Sequence, residues 1–192
     1  MEGLITIHRT FHGIDWLNQI FKFITMLGDI GFIWFVIAFI LLFFKKTRKG
    51  AIIMIVSLGV GYIFNNLLLK NLFMRDRPFV VNEEFKQFVL SIGLELPEGT
   101  SFPSGHAFSS FLCATLLCLY NKKLGFITFP LAFLIALSRV YLCVHYPTDV
   151  LAGALIGVLF AVNVYFIGNF IIRKINSKKR QSARENVQDK WS

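Results

Sequence analysis

The sequence predicts an all-α membrane protein: a bundle of five transmembrane helices with an N-terminal amphipathic helix lying in the membrane interface. Three observations predict it. The 192-residue chain is 55% hydrophobic, with a mean hydropathy of +0.62, too apolar for an ordinary soluble domain. Its apolar residues fall into five long runs with few charges. Its net charge of +9 is clustered just after those runs, at Lys45-Lys46-Thr47-Arg48-Lys49, Lys122-Lys123 and Arg173 onward. Basic blocks could serve nucleic acid, but in these places they mark the cytoplasmic ends of membrane spans. No nucleic-acid partner is expected; the bilayer is the partner.

Residues 9–27 alternate Phe11, Ile14, Trp16, Leu17, Ile20, Phe21 and Ile24 with Arg9, His12, Asp15, Asn18 and Lys22. That pattern predicts an amphipathic helix anchored at the interface by aromatic residues. Residues 30–44 form the first uncharged run and 51–69 the second, closed by Lys70. A polar stretch, 71–101, follows, with a short surface helix expected over 82–94. Residues 104–120, 124–138 and 150–172 are the third, fourth and fifth runs. One membrane-embedded domain is expected over 1–175, and a basic cytoplasmic tail, helical at first and then disordered, over 176–192. Cys113, Cys118 and Cys143 are odd in number and lack ligand spacing, so they read as packing residues rather than disulfide or zinc partners.

Charge fixes the topology. With the 45–49 block in the cytoplasm, every basic cluster lands on that side, and Lys70, Arg77, His106, Arg139, His145 and Asp149 all land on the opposite face. Ionisable groups at the ends of membrane helices are costly unless paired or lining a polar cavity. Their convergence on one face is what an active site requires.

Three clusters meet there. Lys70 closes the second run, and Arg77 precedes Pro78, which disfavours helical geometry before it. By themselves these cations could merely snorkel. Ser104 and Gly105 open the third helix ahead of His106; free N–H groups there make an anion site. Arg139 ends the fourth run. His145 precedes Pro147, which suits a first helical position, and Asp149 falls in that helix's first turn. Its carboxylate can take the imidazole N–H and leave the other nitrogen free as nucleophile or base. Cations, a helix N-terminus and two histidines suit phosphoryl transfer, one histidine attacking and the other protonating the leaving oxygen. Asp76, Glu83 and Glu84 form no metal-ligand pattern. Asp76, between two arginines, reads as an ion-pair partner, and Arg75 as a headgroup contact or an exposed charge outside the core site.

The patterns KxxxxxxRP (Lys70–Pro78), PSGH (Pro103–His106) and SRxxxxxHxxxD (Ser138–Asp149) resemble the three-part signature of the type 2 phosphatidic acid phosphatase family, complete and in order. The resemblance implies a six-helix family core and an integral-membrane lipid phosphatase that needs no metal or other cofactor. It implies that His145 attacks phosphorus to form a phosphohistidine and that Asp149 orients it. His106 would protonate the leaving oxygen and then activate water. Lys70, Arg77, Arg139, Ser104 and the Gly105 N–H would hold the phosphate oxygens. The expected substrate is a lipid phosphate or diphosphate: undecaprenyl diphosphate, phosphatidylglycerophosphate or phosphatidic acid. The expected location is the cell membrane, with the site on the extracytoplasmic face. A non-hydrolytic lipid-phosphate binder or transporter is the alternative. A haloperoxidase fits poorly with so apolar a chain. Oligomeric state is not encoded in these patterns.

Overall fold

The computed structural model describes residues 1–188, with side chains described to Lys178 and at Gln181. Every regular element among these residues is helical: α1 Glu2–Phe11, α2 Asp15–Gly28, α3 Phe32–Leu42, α4 Arg48–Ile63, α5 Glu83–Ser91, α6 Gly105–Tyr120, α7 Lys122–Tyr141 and α8 Pro147–Gln188. A 3-10 turn, Asp29–Gly31, joins α2 to α3. Here Ile30 and Gly31 both take positive φ, at 52° and 74°. α4 runs on through a π segment, Phe64–Leu69, and a last turn, Lys70–Phe73.

Among the described residues, four units are long and apolar enough to cross a membrane: Asp15–Leu42, Arg48–Val81, Lys122–Tyr141 and Pro147–Lys178. α6 is apolar but only 16 residues long. The N-terminus departs from expectation. α1 ends at Phe11, and α2 joins α3 across the kink into one 28-residue unit. The expected interfacial helix and first span are therefore divided differently. The polar residues of α2 explain why. Asn18 and Thr25 are buried, where Tyr141 donates to Asn18 at 2.7 Å and Arg139 donates to Thr25. Lys22 donates to the Ile92 carbonyl at 2.7 Å. Their pattern looks interfacial, yet their partners are protein groups.

Two apolar cores stack along the bundle. The deeper one gathers Trp34, Met54, Leu58, Phe108, Leu112, Ile135 and Ala161; the buried Trp34 indole donates to Ser110 at 3.0 Å, as a buried N–H should. The second, at the polar end of α7, joins Leu4, Phe79, Phe85, Phe88, Val89 and Tyr141. α5, capped by Asn82, thus fulfils the surface-helix expectation but turns Phe85 and Val89 fully inward. Outward faces carry Phe39, Val56, Leu155 and Phe166, the apolar exterior a bilayer requires. α8 stays helical to Gln188, beyond the expected disorder. Its Lys, Arg, Gln, Ala and Glu residues favour helix, and no Gly or Pro interrupts them. The last four residues of the expected tail, 189–192, lie outside the described residues.

The contact that sets the site is α6 on α8. Gly153 and Gly157 stand four apart on one face of α8. A Cβ at Gly153 would lie 2.5 Å from the Ser104 carbonyl oxygen, and one at Gly157 closer still to that of Phe108. The absence of side chains lets the two backbones touch, as small-xxx-small faces do in membranes. The start of α8 is thereby held against the start of α6, with the Ser104 N–H donating to the Asp149 carbonyl at 3.0 Å.

Candidate active site

Six of the predicted residues line one cavity of about 470 Å3: Lys70, Arg77, Gly105, His106, Arg139 and His145. Ile30, Phe35, Leu58 and Tyr62 form its apolar wall, between α3 and α4. Asp149 and Ser104 lie behind the cavity rather than on it. Ser104 is fully buried, and its hydroxyl caps α6 by accepting from the Ala107 N–H at 3.5 Å. The cavity-facing group at this helix end is therefore Gly105, and Ser104 shapes the turn that presents it.

His145 is held in the loop between α7 and α8 with two distinct faces. Its Nδ1 lies 3.6 Å from Asp149 Oδ2, an ion-pair separation longer than a hydrogen bond. Ser101 touches both: its hydroxyl donates to Asp149 Oδ2 and stands 3.4 Å from Nδ1. Nε2 is on the other side, 3.2 Å from Arg77 Nη1. Burial holds the ring's pKa below the ordinary histidine range, with the nearby Arg139 and Arg77 charges adding to the effect. The Asp149 carboxylate beside it works against this. The outcome is a neutral imidazole at physiological pH, the form with a free electron pair.

Asp149 is fully buried and densely bonded, accepting from the Tyr146 N–H at 2.8 Å. Arg75 donates to its Oδ1 at 2.7 Å and to Thr148 at 2.8 Å, with its guanidinium 4.0 Å from the Tyr146 ring. Arg75 therefore belongs to the site, as the partner of Asp149. Asp76, expected to pair with its neighbouring arginines, is exposed.

Arg77 is 4% exposed. Its Nε donates to the Gly99 carbonyl at 2.9 Å, Nη2 to Glu98 at 3.0 Å and Nη1 to Val144 at 3.2 Å. Three carbonyls thus fix a guanidinium that snorkelling would leave loose. The same loop is tied down where Ser101 N–H donates to the Arg75 carbonyl at 2.8 Å and Thr100 to that of Lys70 at 3.1 Å.

His106 finds an unforeseen partner. Its Nε2 lies 2.9 Å from Asp29 Oδ1, and its ring packs so near Gly28 that a Cβ there would come within 2.5 Å. Together with Thr25 on Arg139, the last turn of α2 forms one side of the site. Sequence reasoning missed Thr25, Asp29, Ser101 and the role of Arg75. Gly153 and Gly157 could have been found from their spacing alone.

The chain is similar to several known proteins. Residues 50–173 match the sequence model of the PAP2 superfamily. The bacitracin transport permease protein BcrC of Bacillus licheniformis is 33% identical over 121 residues, 63% of this chain; the match spans 57% of BcrC, under two thirds of its length. An undecaprenyl-diphosphatase of Sulfolobus acidocaldarius is 34% identical over 153 residues, covering 77% of this chain and 68% of that one. Among solved structures, a transmembrane PAP2 type phosphatidylglycerolphosphate phosphatase from Bacillus subtilis is similar with a TM-score of 0.65 and 27% identity, covering 88% of this chain and 86% of that one.

Proposed function

This chain belongs to the PAP2 superfamily, and we propose that, as a membrane lipid phosphatase, it removes phosphate from a lipid phosphate or diphosphate through a covalent phosphohistidine. The observation that carries the reading is the two-sided placement of His145. Nδ1 faces Asp149 and Ser101, while Nε2 faces Arg77 and the cavity.

Nε2 attacks phosphorus as the P–O bond to the lipid breaks. His106 gives its proton to the departing oxygen; Asp29 fixes the ring that does so. Water then attacks the phosphohistidine, its proton passes to His106, and inorganic phosphate leaves with both histidines restored. Lys70, Arg77 and Arg139, with the Gly105 N–H, neutralise the transferred oxygens. Asp149 stabilises the charge that grows on His145. Every step uses side chains of this chain, so activity is expected without added metal.

The substrate is a lipid, because the cavity's apolar wall reaches outward. Ile30, Phe35 and Tyr62 line it and are themselves 86%, 39% and 61% exposed. A headgroup enters between α3 and α4 while its tails remain in the bilayer. Undecaprenyl diphosphate, phosphatidylglycerophosphate and phosphatidic acid are the candidates. The basic blocks at 45–49, 122–123 and 173–184 support an extracytoplasmic site. On this topology α6 crosses as a fifth, short span. Residues 1–175 act as one domain, with 176–192 as a basic cytoplasmic tail.

The test is phosphate release by detergent-purified protein from those three lipids in excess chelator, beside His145→Ala. Release that survives chelation and is lost in the variant is expected. The permease name of one relative gives the binder or transporter reading its support. Lipid-phosphate binding without release by the wild-type protein would establish that reading instead.

A further inference from the structure

Asn65 has no part in the mechanism above, yet no polar side chain in the cavity wall is less satisfied. It is 1% exposed, and neither its Nδ2 nor its Oδ1 has a hydrogen-bond partner among the described residues. A buried amide with both ends unpaired is unfavourable. If packing alone governed the position, an apolar residue would serve better. Asn65 lines the cavity with Lys70, Gly105 and Arg139. Its Nδ2 lies 3.5 Å from where a Cβ on Gly105 would stand. Arg139 Nε, on the same wall, is also buried without a partner.

The backbone supports the assignment. Asn65 lies in the π segment Phe64–Leu69. Continued α geometry, at 3.6 residues per turn, would rotate Lys70 about 140° away from it. The i→i+5 bonding of a π turn reduces that angle, and π turns inside α-helices gather at functional sites. Both side chains accordingly reach one cavity. Along this helix the cavity-lining residues run from Leu58, Gly59 and Tyr62, through Asn65 and Asn66, to Lys70. Along the helix Asn65 thus stands between the apolar lining residues and Lys70.

We propose that Asn65 is a specificity-determining residue that reads the leaving group, the polar linkage between the departing phosphate and the lipid tail. Its Nδ2 donates to an oxygen of that linkage and its Oδ1 accepts from a hydroxyl there. The preferred substrate therefore carries hydrogen-bonding oxygens beside the scissile bond, as the second phosphate of a diphosphate or the hydroxyl of a glycerophosphate does. A simple alkyl monophosphate offers neither. This inference rests on the phosphatase reading and sharpens its substrate class.

The experiment compares kcat/KM of the full-length wild-type protein, Asn65→Leu and Asn65→Ala in detergent. The substrates are farnesyl diphosphate, farnesyl monophosphate and phosphatidylglycerophosphate, with Tm measured for each protein. Both variants are expected to lose at least tenfold more kcat/KM on the diphosphate or the glycerophosphate than on the monophosphate. Which of the two is affected identifies the linkage. The Tm of Asn65→Leu is expected to equal or exceed that of wild type, because an unpaired buried amide has been removed; a structural asparagine would give the opposite. Equal loss on all three substrates, no loss on any, or activity falling in step with Tm would each overturn the proposal. No release by the wild-type protein from any of the three would instead overturn the phosphatase reading, and this inference with it.

Discussion

Replacing Gly153 with Ala is expected to disable the protein without touching any group that meets substrate. The added Cβ would lie 2.5 Å from the Ser104 carbonyl oxygen, about 0.9 Å short of the 3.4 Å at which ordinary contact begins. The obstacle is backbone, so no side chain can rotate out of the way. α8 has to move off α6 by most of that distance. It carries Asp149 in its first turn, with His145 just ahead, while α6 carries Gly105 and His106. His145 is thereby displaced from His106 and from the α6 N-terminus. A misplacement of about 1 Å in a catalytic site costs on the order of 10²-fold in rate. Phosphate release from a lipid phosphate should therefore fall by roughly that factor in kcat/KM, with a lower Tm in the same detergent, and Gly157→Ala should behave alike. Gly13, whose added Cβ meets nothing within 4 Å, provides the control, and Gly13→Ala should match wild type. Gly153→Ala with kcat/KM and Tm indistinguishable from wild type would refute the claim that this close crossing sets the site.

Ser101→Ala removes the hydroxyl that touches both Asp149 and His145. It should lower kcat about tenfold, the scale of one buried hydrogen bond, with KM little changed; an unaltered kcat would remove Ser101 from the site. Asp29→Asn leaves His106 without its carboxylate. It should lower kcat by roughly 10–10²-fold, part of the 10²–10⁴ that a general acid contributes, and shift the pH profile; a loss confined to KM would contradict the assignment. Burial pushes the His12 pKa down to about 4, where its ring stacks on Phe88 at 3.5 Å and its Nε2 meets the Tyr141 carbonyl at 2.7 Å. Between pH 6.5 and 4 the unfolded chain takes a proton at this residue and the folded chain does not, so stability is lost as pH falls through that window. His145, likewise depressed by burial, contributes with the same sign. Tm should drop from pH 7 to pH 5, with a shallower slope in His12→Gln. A flat Tm in the wild type would contradict this.

What the sequence revealed and what it hid divide along a physical line. Lys70, Arg77, His106, Arg139 and His145 were legible because ionisable groups at the ends of apolar runs stand out, Gly105 because it opens a helix beside them, and topology then placed them on one face. All six line the cavity. Asp149 was legible as the partner of His145, although the hydroxyl beside it, Ser101, lies 44 residues from His145 in a stretch that carries no periodic signal. Thr25 belongs to a segment that reads as an amphipathic surface, and Asp29 to the boundary before the first apolar run. Both are satisfied by α6 and α7, and only the fold brings them there. The helix count was obscured in the same place. Ile30 and Gly31, at positive φ, bend one apolar unit into two, and a run broken at Asp29 looks like an interfacial helix followed by a short span. Asn65 gave no signal, because the π turn that aims it is invisible to α periodicity.

The central claim is that His145 Nε2 carries the phosphoryl group. Its most direct test is to mix the purified protein with a substrate labelled in the terminal phosphate and quench into alkali within the first turnover. Phosphohistidine survives alkali, so the label can be mapped to a peptide. Label on the peptide containing His145, absent from His145→Ala and increased in His106→Ala, is the expected result. Steady release of phosphate with no label on His145 at any quench time would contradict it, and would place water rather than histidine on phosphorus in the first step.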